Sequence, residues 1–141
     1  MKNEPIRIIL VDDHKLVRQS WKMLLENNPR LKVVADCEDG ETAIEESKKH
    51  SPDIILVDIN MSPDNGFIIT EQLLRLSPIT KIIGLSANNQ PKYASRMVEL
   101  GAKGYLTKTS SLEEINHGIQ EVFEGRFYIC KEIKKHMPPS E

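Results

Sequence analysis

Chemistry-bearing side chains in this chain recur at one kind of place, the residue following a short apolar run. Asp12, Asp13 and His14 follow "IRIILV" (6–11), Asp36 follows "VVA" (33–35), and Asp58 follows "IILV" (54–57). Ser86 follows "KIIGL" (81–85) and Lys108 follows "GYLT" (104–107). Carboxylates gathered on one edge repel at short range in a partly desolvated pocket. Such clusters are characteristic of hard divalent ions, and Mg²⁺ prefers one or two carboxylates, a carbonyl oxygen and several waters. Lys108 would add a fixed positive charge opposite the acids. A divalent ion and a lysine around one aspartate suit the stabilisation of a transferred phosphoryl group. The carboxylate can itself be the nucleophile, forming an acyl phosphate.

That grouping requires the five runs to be strands of one sheet. They are short, rich in Ile and Val, and too uniformly apolar to alternate, as expected of strands covered on both faces. Helical spacing fills the intervals. Val17, Trp21, Leu24 and Leu25 share a face before Asn28-Pro29, Pro91 suits a first helical turn, and "MVELGAKG" supplies a glycine stop. The last helix reads from a capping box of Ser110 and Glu113, through Leu112, Ile115, Ile119 and Val122, to Gly125. Asp12-Asp13 could likewise cap the first helix. A β-α unit repeated five times predicts a doubly wound α/β fold: a parallel five-stranded sheet with helices on both faces. With strand order 2-1-3-4-5, the residues after strands 1, 3, 4 and 5 share the edge where strand order reverses. Residues 1–125 form the expected domain, and 126–141 read as a tail or the start of a linker.

The bulk properties remove other classes. With 141 residues the chain is one domain's worth, and a net charge of −2 gives no nucleic-acid footprint. Cys37 and Cys130 fit no metal or redox spacing, which points to a reduced, cytoplasmic protein. "MKNEPIRIILV" is not a signal peptide, and no apolar run reaches membrane-span length. The four histidines show no ligand spacing, although His14 lies beside the acids.

"IILVDDHKLVR", "PDIILVDINM", "IIGLSA" and "GAKGYLTKTSSLEEI", in this order, resemble a response-regulator receiver domain of a two-component system over residues 5–125. The resemblance implies the flavodoxin-like version of the doubly wound fold. It implies that Asp58 accepts a phosphoryl group from a sensor histidine kinase, with Asp13 a direct Mg²⁺ ligand, Asp12 a ligand through water and Asn60 offering its carbonyl. Ser86 and Lys108 would hold the phosphoryl oxygens. Tyr105 would turn inward as Ser86 moves, reshaping the face made by the fourth helix, fifth strand and fifth helix. Such a domain is a phosphoacceptor, not an enzyme in its own right, and a homodimer on phosphorylation is a further expectation. Two positions depart from the family pattern: Ser62 and Thr109 stand where prolines are common.

A phosphohydrolase that forms an aspartyl-phosphate would need an acid two residues after Asp58, where this chain has Asn60. "EVFEGRFYI" is similar to regulators whose receiver precedes a helix-turn-helix domain. DNA would then be contacted only through an output domain outside this chain. The alternative is a stand-alone receiver acting by protein contacts.

Overall fold

The computed structural model describes residues 4–61 and 65–137. Six parallel strands stand in the order β2-β1-β3-β4-β5-β6: β1 (Ile6–Val11), β2 (Leu31–Cys37), β3 (Ile54–Asp58), β4 (Lys81–Ser86), β5 (Gly104–Thr107) and β6 (Tyr128–Ile129). The helices are α1 (Lys15–Glu26), α2 (Gly40–His50), α3 (Gly66–Leu76), α4 (Pro91–Leu100), α5 (Leu112–Phe123) and α6 (Lys131–Lys134). The expected doubly wound order of the first five strands is present, and β6 extends the sheet beyond them. Residues 126–137 therefore include a strand and a helical turn, with Cys130 and Ile133 wholly buried.

Chain reversal happens between β1 and β3. From β1 the chain crosses to β2 on one side and then returns to β3 on the other. Val11 pairs with Val57, so Asp12 and Asp58 emerge side by side at this switch point. The central strand β3 is buried along its whole length, which is why its apolar run does not alternate. Each fully buried Ile or Leu contributes about 1.5–3 kcal/mol, so Ile54, Ile55 and Leu56 anchor Asp58 to a rigid support.

Local chemistry corrects several details. On α1, Trp21 and Leu25 face the core, whereas Leu24 is 46% exposed. The N-cap of α1 is His14, without a side-chain cap, so Asp12-Asp13 do not cap it. Strand β2 runs to Cys37 and includes Asp36, whose carboxylate accepts from Arg18 Nε at 2.9 Å; it does not join the acids at the switch point. The cap of α5 falls one residue later than the sequence suggests. Ser111 Oγ accepts from Glu114 N at 3.0 Å, while Ser110 Oγ is engaged by Thr107 at 3.1 Å. Gly101 closes α4 at φ 114°, as the glycine stop predicts.

Helix α2 carries the plainest cap, with Asp39 Oδ1 accepting from Thr42 N at 2.8 Å. That backbone bond, helped by the Thr42 side chain, holds the Asp39 carboxyl below its ordinary range. A depressed folded-state pKa contributes stability above the unfolded value and loses it as pH falls through the folded one. Asp39→Ala should therefore cost about 1 kcal/mol near neutral pH. By urea denaturation the gap to wild type should narrow as pH falls below the ordinary carboxylate range, because the unfolded chain takes up the proton first. A gap that widens in acid would refute this.

Candidate functional site

The ends of β1, β3 and β5 deliver four of the expected side chains, Asp12, Asp13, Asp58 and Lys108, to one place. Asp58 is completely buried and Asp12 nearly so, while the Asp13 side chain is 22% exposed. Lys108 Nζ lies 3.0 Å from Asp58 Oδ2 and 3.3 Å from Asp12 Oδ2, bridging the two strands. The other oxygen of each acid is held by a main-chain amide. Asn60 N donates to Asp58 Oδ1 at 2.9 Å, and His14 N donates to Asp12 Oδ1 at 2.9 Å. Both acceptor carboxylates are thus fixed in orientation by one charge-assisted bond and one amide.

Ligand atoms of Asp12, Asp13, His14 and Asp58 all fall within 4.8 Å of one another. Three carboxylates in that space suit a hard divalent cation bound through oxygen. His14, to which the sequence gives no ligand spacing, is also present, with Nδ1 3.0 Å from Asp13 Oδ1 and its side chain 65% exposed. Burial pulls the Lys108 pKa down, but the hydrogen bond and charge of Asp58, with the charge of Asp12, outweigh it and leave the lysine above its ordinary value.

The remaining predicted residues line the rim. Lys108 N donates to Ser86 O at 2.8 Å, which ties the lysine to the end of β4. Ser86 is buried, and its Oγ accepts from Asn88 N at 3.1 Å. Asn60 reaches across to the β4–α4 loop, its Oδ1 accepting from Ala87 N at 3.3 Å. Thr109 Oγ1 lies 3.3 Å from Thr107 Oγ1. Ser62 falls outside the described residues.

Tyr105 pairs with Gly84, two register steps before the Ser86–Thr107 pair, and is fully buried, so its ring already lies inward without any movement of Ser86. Its hydroxyl makes no hydrogen bond of ordinary geometry among the described residues. Burial pushes the phenol up to about 12, a rise that the nearby Ser86 side chain only tempers. Room for the inward ring comes from Gly84, a residue that the sequence reading passed over. A Cβ there would lie 3.0 Å from both Tyr105 Cδ1 and Met97 Cε. A glycine inside an apolar strand is the available signal, because it often marks a place that another group approaches closely.

The sheet's opposite edge holds a cavity of about 580 Å³, lined by Ser51, Pro52, Leu76 and Ile79 among others. Among the described residues, the only grouping of three or more His, Cys, Asp or Glu close enough to share a metal ion is the one at the switch point, not here.

Comparison with known proteins agrees with the geometry. Residues 8–120 match the response regulator receiver domain. The chain is 36% identical over 132 residues to the transcriptional regulatory protein DegU of Brevibacillus brevis, covering 94% of this chain and 56% of that protein. It is 33% identical to the response regulator GacA of Pseudomonas aeruginosa, covering 94% of this chain and 62% of that one. Among solved structures, a LuxR-family two-component response regulator from Aurantimonas superposes with a TM-score of 0.89 at 29% identity, covering 94% of each chain. The chain thus spans 56–62% of the length of these curated relatives.

Proposed function

Because the chain belongs to the response-regulator receiver family, we propose that it is a phosphorylation-driven signalling switch whose acceptor is Asp58. The observation that carries this reading is the buried Asp58 carboxylate, held between Lys108 and the Asn60 amide beside Asp12 and Asp13. In the reaction an Asp58 carboxylate oxygen forms a bond to phosphorus while the phosphorus–nitrogen bond to a sensor kinase's phosphohistidine breaks. The electron pair leaves with the imidazole, which takes up a proton. Lys108 pairs with the charge on the transferred group, and the Ser86 hydroxyl donates to one of its oxygens. Asp13, Asp12, Asp58 and the Asn60 carbonyl are the groups that would hold Mg²⁺, which when bound supplies charge neutralisation at the phosphoryl oxygens.

Ser86 and the inward Tyr105 then carry the change to the face of α4, β5 and α5, a local electrostatic event read by a two-state element. DegU is named a transcriptional regulatory protein, and this chain covers little more than half of it. That supports an output through a DNA-binding domain beyond this chain, with a homodimer formed on phosphorylation. Among the described residues no helix is long and apolar enough to cross a membrane, which fits a cytoplasmic partner of a sensor kinase.

The test is intact-mass measurement after incubation with acetyl phosphate and Mg²⁺. Wild type should gain one phosphoryl group, and Asp58→Asn should gain none. Chelating Mg²⁺ should abolish the gain in wild type. An undiminished gain in Asp58→Asn would sink the assignment of the acceptor.

A further inference from the structure

Residues 126–137 are attached to the domain at two places of different character. The first attachment is main-chain. Tyr128 N donates to Lys103 O at 3.1 Å and Cys130 N to the carbonyl of Tyr105 at 3.0 Å, making β6 a parallel extension of β5. Glu114 of α5 reinforces it, its Oε2 accepting from Tyr128 Oη at 2.7 Å and Lys131 N at 2.8 Å. Beyond this fixed end, α6 turns over α4 and β5 and buries Ile133 completely.

The second attachment is made by side chains alone. Asn89 Nδ2 donates to Glu132 Oε2 at 2.8 Å and lies 3.2 Å from His136 Nε2. Asn89 belongs to the β4–α4 loop, three residues after Ser86. The preceding residue, Asn88, donates its amide to Ser86 Oγ, and Ala87 N is held by Asn60 Oδ1. A groove of about 230 Å³ lined by Ala87, Asn88, Asn89, Thr107, Thr109 and Glu132 runs between loop and strap. Ser86 and the three residues that follow it therefore carry the phosphoryl-side hydroxyl, the bond to Asn60 and the bond to Glu132 of the strap.

We propose that residues 130–137 form a strap seated on the face of α4 and β5, latched by Asn89 to Glu132 and loosened when Asp58 is phosphorylated. The coupling rests on the reading of Asp58 as the acceptor. Movement of the Ser86 hydroxyl towards Asp58 pulls on the Asn88 amide, and the next residue in the chain is the latch. The strap's fixed end stays paired to β5 and to Glu114, so the motion is a swing beyond Lys131 and not a loss of β6. Whatever follows Met137 is thereby carried by a segment whose docking reports on the site.

Hydrogen exchange of the full chain, read on peptides covering 130–137, tests this. In unphosphorylated Asn89→Ala, removal of one net hydrogen bond should speed exchange there roughly fivefold, with protection of β5 retained. Unchanged exchange in that variant overturns the latch. Wild type treated with acetyl phosphate and Mg²⁺ should change in the same direction, with intact mass measured on the same sample. A gain of one phosphoryl group without faster exchange overturns the coupling and leaves Asp58 as the acceptor. No gain of mass overturns the acceptor reading and the coupling with it, and the Asn89→Ala result alone then decides whether the latch exists.

Discussion

Lys108→Met should cost about 3–5 kcal/mol of stability in metal-free buffer, the penalty for breaking a buried ion pair from one side. Lys108 Nζ touches both Asp58 and Asp12, whose side chains are only 1% and 5% exposed. Methionine keeps the length of the stem and deletes the charge, leaving two desolvated carboxylates facing one another. Two controls separate this from simple repacking. Mg²⁺ should restore more stability to the variant than to wild type, because the ion becomes the cation opposite the acids. The wild-type margin should also fade above about pH 10, because a raised lysine pKa contributes stability that is lost as pH climbs through the folded value. Equal urea midpoints for metal-free wild type and variant would show that Lys108 does not balance the pair.

Gly66→Ala should be the most damaging single methyl group in the molecule. A Cβ at Gly66 would lie 2.5 Å from Ile59 Cα and 2.7 Å from Asp58 O. These are main-chain atoms, so no rotamer change relieves the clash. Either α3 withdraws from β3 or the Asp58–Asn60 segment shifts. That segment is already fixed by Ile59 N to Leu85 O at 3.0 Å and by Asn60 N to Asp58 Oδ1. Overpacking of this kind costs about 1–3 kcal/mol and more where the backbone must move. The sole tryptophan offers a second readout, because Trp21 lies close to Asp12, the two packed around one narrow gap with Arg18 and Leu85. Mg²⁺ titrated against Trp21 fluorescence should show weakened binding in Gly66→Ala. A variant with wild-type stability and an unchanged titration would mean the helix adjusts without disturbing Asp58.

The parallel sheet was legible because its strands are covered on both faces, so the apolar runs of β1, β3 and β4 are nearly unbroken. Asp12, Asp58 and Lys108 could be grouped before any coordinates because a parallel sheet sends every carboxyl end to one edge. What escaped the reading was set by contacts distant in sequence or by competition between neighbours. Strand β6 has two residues, too few for any periodicity, and forms because β5 offers its edge. The cap of α5 moved from Ser110 to Ser111 because Thr107 captures the first hydroxyl. Glu114, the residue three beyond the true cap, turns away to Tyr128 and Lys131. Asn89 and Glu132 lie 43 residues apart, a pairing that no local pattern announces.

Strand β6 also bears on how the molecule avoids its own kind. An unfinished sheet border invites another chain to add a strand, the first step towards fibrils. Here the border at β5 is closed by a strand only two residues long, which offers almost nothing to extend. At the other border β2 is longer, but its register against β1 slips between Ile8 and Ile9, and Lys32 and Asp36 stand exposed along it. One margin is guarded by shortness and the other by irregularity and charge, two different ways of denying a neighbouring chain a flat border to pair with.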